Sequence, residues 1–246
     1  MITMKKCALI TGASGGIGSA AALRLAADGF SIAACWHSDE EGISALAKQL
    51  DGISAEYRLY KADVSDYEKI KEVFADAAEN LGGVSVLVNN AGMAQQKLFT
   101  DITQQDFDLI TAVNFKGVFN CCQCAVPFMV NKKEGKIINI SSMWGVYGAS
   151  CETVYSATKA AVIGLTKALA RELAPSNVQV NCIAPGAIDT KMNSNLSDED
   201  KKAFAAEIPM GRFGTPEEIA GVISFLASKD SDYVTAQVIT ADGGLT

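Results

Sequence analysis

The chain has 246 residues, 49% of them hydrophobic, with a net charge of −7 and one histidine. That length suits one α/β domain spanning residues 1–246, and an acidic chain with no Lys/Arg stripe argues against nucleic-acid binding. No run of about 18 uninterrupted apolar residues points to a membrane span, and the few residues before the first strand pattern are too short for a signal peptide, so a cytoplasmic protein is expected.

Taken in chain order, apolar β-rich runs alternate with helical patterns. Residues 6–11 read as a strand and 17–28 as a helix; 30–36 as a strand and 40–50 as a helix. Residues 55–60 form the next strand, and 66–80 a helix that opens on an acidic cap. The strand 84–88 leads into Asn89-Asn90-Ala91-Gly92, and a long helix covers 103–130. A strand at 136–140, a helix at 153–174 and a strand at 178–183 follow. Shorter helices near 198–207 and 216–228 precede a last short strand at 238–240. Repeated β-α units predict a doubly wound, seven-stranded parallel sheet with helices on both faces, the Rossmann architecture. Residues 190–214, which include Asn193, Ser194 and Asn195 after a Pro-Gly turn, are the least regular segment and the expected mobile lid.

Seven cysteines form no paired framework, so reduced thiols are expected. Cys121 and Cys124 have the C-x-x-C spacing, but they lie in an apolar helical pattern without a second pair. They read as core residues, and no metal site is expected.

Thr11-Gly12-Ala13-Ser14-Gly15-Gly16-Ile17-Gly18 lies between the first strand and the first helix. Glycines allow a tight turn and close backbone approach, and the helix N-terminus offers N–H groups to a pyrophosphate. This context, strand then glycine turn then helix, is the one a dinucleotide site requires. Tyr155 and Lys159 are four residues apart on a predicted helix, so they share a face. A neighbouring ammonium should lower a phenol pKa, which makes the pair a usable acid/base. Ser142 lies just past the end of the 136–140 strand, where parallel sheets place ligands. Ser141 competes with it and reads as a turn residue. Asn114, among apolar neighbours, must find a hydrogen-bond partner, and a helix–helix bond would satisfy it.

The spacing of the glycine turn, the Asn89-Asn90-Ala91-Gly92 stretch, Tyr155-x-x-x-Lys159 and Pro185-Gly186 occur in order along most of the chain. Together they resemble the short-chain dehydrogenase/reductase family. That resemblance implies a carbonyl reductase in which Tyr155 donates the proton and Ser142 steadies the oxyanion. Lys159 would tune Tyr155 and contact the nicotinamide ribose, and Asn114 would help restore the proton. It also implies cofactor contacts from Gly12, Ser14, Gly15, Gly16, Ile17, Gly18, Asp63, Val64, Asn90, Ala91, Gly92, Pro185, Gly186, Ile188 and Thr190, with Asn89 partly structural. The second strand ends on Trp36-His37-Ser38, where NAD-preferring relatives carry an acidic residue, so NADP(H) is favoured and NAD(H) is the alternative. Asp39, Glu40 and Glu41 lie close by but read as a helix start.

The whole-chain pattern, including residues 211–220, is most similar to 3-oxoacyl-[acyl-carrier-protein] reductases. This implies a carrier-bound substrate, with Lys132 and Lys133 as candidate docking residues for an acidic carrier; Ser176 stands where a second basic residue is expected. Residues 142–145 and 148–152 also resemble a branch that reduces a 5-aminopentanone group on translation elongation factor P, where Glu152 could pair with the ammonium. Met93, Trp144, Tyr147, Cys151, Glu152 and Met192 are the candidate substrate-pocket residues. The family's assembly implies a homotetramer built through the 103–130 and 153–174 helices, whose surface includes Ala160, Ala161, Ile163 and Leu165. A Ser-His-Asp hydrolase fails on inventory, since His37 is the single histidine and no G-x-S-x-G elbow occurs. A dinucleotide-sensing protein on the same fold is the non-enzymatic alternative.

Overall fold

The computed structural model describes residues 6–194 and 197–246. The N-terminal residues 1–5 and Asn195 with Leu196, inside the predicted lid, lie outside the described residues.

Strands β1 (Cys7–Thr11), β2 (Ser31–Trp36), β3 (Tyr57–Lys61), β4 (Val84–Asn89), β5 (Gly135–Ile140), β6 (Val178–Pro185) and β7 (Val238–Ala241) form one sheet in the order β3-β2-β1-β4-β5-β6-β7. Every pairing is parallel. Successive residues point to opposite faces of a strand, so Leu9 and Cys35 join one core, and Ile10 and Ala34 the other. On the first face lie α3 (Tyr67–Leu81), α5 (Gly117–Lys132) and α7 (Thr153–Leu173). On the second lie α1 (Gly16–Ala27), α2 (Glu40–Gly52) and α9 (Pro216–Ala227). The chain reverses its direction of winding between β1 and β4, and that switch point opens a crevice at the carboxyl ends of the strands.

The predicted helix over 103–130 is real in extent but not uniform. It runs as α4 (Gln104–Thr111), a π-helical turn at Ala112–Lys116, and α5. The wider turn rotates α5 relative to α4, a device frequent at functional sites, and Asn114 sits at its centre. The joined stretch Gln104–Lys132 is long and apolar enough to cross a membrane, but half of its apolar window is buried inside the protein. Among the short elements that escaped the sequence pattern are α6 (Trp144–Tyr147) and a 3-10 turn at Lys191–Asn193. Within the irregular segment, α8 (Asp198–Glu207) has the expected bounds.

Candidate active site

The glycine turn is shaped by what surrounds it. Gly12 has φ of +65°, and a Cβ there would come within 2.9 Å of the Ala91 Cα. A Cβ on Gly18 would lie 2.2 Å from the Gly12 carbonyl oxygen, closer than any real contact. Side chains are thus excluded at Gly12 and Gly18, on either side of the turn from β1 to α1. Asn90 ties this turn to β4: its Nδ2 donates to the Thr11 and Gly12 carbonyls at 3.0 and 3.1 Å. The Asn90 and Ala91 amides both donate to the Thr11 hydroxyl at 3.0 Å. Gly15 is the N-cap of α1, and no side chain caps that helix. Its first-turn amides, from Gly16 to Gly18, therefore end at the crevice without a side-chain acceptor.

A groove of about 410 Å³ extends from this turn, lined by Gly12, Ser14, Trp36, His37, Ser38 and Asp63 among others, with Val64, Ala91, Gly92 and Met93 beside them. An uncapped helix start, a cradle that a Cβ would fill and an adjoining groove fit a dinucleotide. Asp63 accepts from the Ser65 amide at 2.8 Å, while the cap of α3 is Asp66, as the sequence pattern placed it. Asn89 is a correction: it is 1% exposed, and its Nδ2 donates to Asn139 Oδ1 at 2.8 Å. Strand alternation turns it into the core while Asn90 faces the turn. The Ile188 side chain packs against Gly214, where a Cβ would meet Ile188 Cδ1 at 2.8 Å, and lines a different cavity beside Met210 and Gly243, which leaves its backbone for any cofactor contact. Pro185 closes β6 between β5 and β7, and its carbonyl accepts from the Met143 amide at 2.9 Å. Thr190 does reach the turn: a Cβ on Gly16 would lie 2.8 Å from Thr190 Cγ2.

Beside the groove lies a cavity of about 740 Å³ lined by Ser142, Tyr155, Trp144, Glu152, Gly186 and Met192 among others. Asn114, Ser142, Tyr155 and Lys159 are all buried, and they converge from the π-turn, the loop after β5 and one face of α7. Lys159 Nζ donates to the Ile140 carbonyl at 2.9 Å and lies 5.7 Å from the Tyr155 ring centre. Asn114 Nδ2 donates to the Met93 carbonyl at 2.9 Å and to Thr158 Oγ1 at 3.3 Å, and its Oδ1 accepts from the Met93 amide. Asn114 therefore makes the expected helix–helix bond and also fixes the strand-end loop. Gly92 adjoins both partners: a Cβ there would stand 3.3 Å from Lys159 Nζ and 3.4 Å from Asn114 Oδ1. Ser141 donates to the Lys159 carbonyl at 2.8 Å, the turn role read for it, whereas Ser142 faces the cavity and its Oγ accepts from the Trp144 amide.

Burial holds the Tyr155 phenol up at about 12, with Glu152 adding to the rise and the Ser142 hydroxyl opposing it. The expected lowering by Lys159 is not what this geometry does, because the ammonium turns to the Ile140 carbonyl. Burial in turn brings Lys159 down to about 8. Near neutrality Tyr155 therefore carries its proton, the form a proton donor needs.

The substrate-side expectations divide. Trp144, Glu152 and Met192 line the cavity; Met93, Tyr147 and Cys151 are not among its lining residues. Met93 turns to the groove, held there by Asn114. Tyr147 ends α6 at 64% exposure, and Cys151 has φ of +63° in the turn beyond it. In their place stand Gln95, Gln96, Asn193 and Phe204. Phe204 stacks on Trp144 at 6.5 Å and meets Phe213 edge-on at 5.6 Å. No spacing rule pointed to these residues, since separate loops and α8 supply them. Lys132 and Lys133 end α5 at the amino ends of the strands, around a cavity that Lys6, Gly135 and Asn177 also line. A helix antiparallel to the strands must finish there, so neither flanks the substrate cavity. Among the described residues no cluster could hold a metal, and Cys121 and Cys124 are buried thiols.

A doubly wound parallel sheet with this constellation at its switch point defines a nucleotide-dependent oxidoreductase, and the chain belongs to the short-chain dehydrogenase/reductase family. Residues 12–246 match the family profile described as enoyl-(acyl carrier protein) reductase. A 3-oxoacyl-[acyl-carrier-protein] reductase of Thermotoga maritima is 44% identical over 240 residues, covering 98% of this chain and 97% of the relative. Nodulation protein G of Azospirillum brasilense is 42% identical over 241 residues, covering 98% of each. A short-chain type dehydrogenase/reductase from Mycobacterium marinum has a TM-score of 0.93 at 35% identity, covering 99% of this chain and 96% of that one.

Proposed function

We propose that the chain is an NADPH-dependent reductase that converts a carrier-bound 3-oxoacyl thioester to its 3-hydroxyacyl form. The observation that carries this reading is the shared placement of Ser142 and Tyr155 in one cavity adjoining a dinucleotide-shaped groove. Two hydroxyls that meet one carbonyl oxygen can protonate it and steady its developing charge. When bound, the nicotinamide supplies the hydride that reaches the carbonyl carbon. Tyr155 gives its proton to the carbonyl oxygen, and Ser142 donates a hydrogen bond to the same oxygen as charge develops. Lys159, protonated below about 8, offsets the phenolate that remains and returns a proton to it. Asn114 holds Met93 and the π-turn beside Lys159 and completes the relay. Gly12, Ser14, Asn90 and Gly92 would hold the dinucleotide, and Trp36, His37 and Ser38 would receive a 2′-phosphate. Residues 190–214 would act as the lid, with Phe204 closing on Trp144. The test is the rate with an acetoacetyl thioester and each cofactor. Turnover with NADPH at least about tenfold better than with NADH in kcat/KM is expected; negligible thioester reduction sinks the substrate.

One observation favours a second substrate. Glu152 lines the same cavity, burial raises its carboxyl pKa, and no cation pairs with it among the described residues. A substrate bearing an ammonium, such as the 5-aminopentanone group on elongation factor P, would pair with it. Glu152→Gln then lowers kcat/KM for the aminoketone by about tenfold and leaves thioester reduction unchanged.

A homotetramer is the proposed assembly. Phe107, Phe119 and Phe128 on the α4–α5 helix are exposed at 47%, 45% and 40%, which is costly for a monomer. Light scattering at micromolar concentration should give four chains; a monomer overturns this.

A further inference from the structure

We infer that Lys191 sets cofactor selectivity by cancelling the charge of Asp39 at the ribose end of the groove. The inference rests on the NADPH reading above.

Asp39 lines the groove next to Trp36, His37 and Ser38. A structural role puts it there, since it is the N-cap of α2 and its Oδ1 accepts from the Gly42 amide at 3.0 Å. That helix start is pressed onto the glycine turn, because a Cβ on Gly42 would lie 2.4 Å from the Ser14 carbonyl oxygen. The cap therefore brings a carboxylate to the end of the groove where a 2′-phosphate would be received. Two anions in that space repel.

Lys191 answers the problem from across the crevice. It comes directly after Thr190, whose methyl packs on Gly16 of the same turn, and its Nζ reaches Asp39 Oδ2 at 3.1 Å. The residues are 152 apart in sequence. Their side chains are 73% and 33% exposed, so the pair adds little to stability. Its consequence lies in the local field: with Lys191 in place, the ribose end presents no net charge from Asp39, and the ammonium stands within reach of a phosphate. NADH carries no phosphate at that position and gains little from the cancellation.

The test uses Lys191→Ala, Asp39→Asn and the double variant, with Kd for NADPH and NADH read from reduced-nicotinamide fluorescence without substrate. Asparagine caps a helix about as well as aspartate, so the fold is kept. Lys191→Ala should weaken NADPH by about tenfold and NADH by less than about twofold, the scale of a partly exposed charge pair. In the double variant most of the NADPH affinity should return. Equal weakening of both cofactors, or none, overturns the inference and makes the pair a mere strap. A double variant as weak as Lys191→Ala also overturns it, because cancellation would then not be the cause. If the wild type prefers NADH, the NADPH reading fails by itself; the change in the NADPH/NADH ratio between wild type and Lys191→Ala still decides the role of the pair.

Discussion

On the cofactor side of the crevice the wall is backbone held in place by two short polar side chains. Gly12, Gly18 and Ala91 approach one another closely, and Asn90 and Thr11 stitch β1 to β4 through four hydrogen bonds. On the substrate side the wall is side chain against side chain: Trp144 on Phe204, Phe204 on Phe213, with Met192 and Asn193 arriving from an exposed turn. The first construction tolerates almost no change because a displaced carbonyl has nowhere to go. The second can be re-cut residue by residue. A reductase that keeps one cofactor chemistry and varies its substrate would be built this way.

The sharpest way to break the comparison is at the chemistry both sides share. Tyr155→Phe removes only the hydroxyl from a residue that burial already positions, so kcat should fall on the order of a hundredfold or more with cofactor Kd unchanged. Stopped-flow or steady-state rates with a reducible carbonyl check this, and near-normal turnover would end the proposed mechanism. Next, Gly18→Ala forces a Cβ to 2.2 Å from the Gly12 carbonyl oxygen, and backbone must move. Dinucleotide affinity should drop about tenfold or more, and stability by roughly 1–3 kcal/mol; calorimetry and thermal melts report the two separately.

Lys159→Met tests the buried charge between the two walls. The folded pKa of Lys159, about 8, lies below its ordinary 10.5. The unfolded chain thus binds more protons between those values, and wild-type stability rises with pH through that window. Below about pH 8 the folded protein carries the full cost of the buried ammonium. The Met variant, though inactive, should therefore be more stable there, on the order of 2 kcal/mol after loss of the bond to Ile140. The advantage should shrink by about pH 10. Melting temperatures of both proteins from about pH 6 to 10 give the answer, and parallel curves would show that Lys159 is not desolvated. The smallest effect belongs to the adaptable wall: Phe204→Ala should raise KM a few-fold and leave kcat and cofactor affinity alone, since one aromatic pair contributes about 1 kcal/mol. An equal loss in cofactor binding would mean that the two sides are not separable.

Much of this was legible in the residues themselves. The strand at 84–88 and the helix at 198–207 appear where hydrophobic periodicity and capping place them. The glycine turn and Tyr155-x-x-x-Lys159 were recognisable because they keep short, fixed spacings along one turn or one helix, and Ser142 because it follows a strand end and fits the family resemblance. The residues missed are those whose neighbours are remote in sequence. Phe204 and Gln95 reach the cavity from separate segments, Met93 turns away because Asn114 bonds its backbone, and Lys132 falls at the amino ends of the strands.

Local sequence thus determined the alternation of elements, the parallel sheet and the glycine turn, because periodicity and glycine conformation act over a few residues. Tertiary structure alone decided the π-turn that aims Asn114, the burial that raises Tyr155 and lowers Lys159, and the meeting of Lys191 with Asp39. Each of these depends on distance and dielectric between groups far apart in the chain, and a linear spacing carries neither quantity.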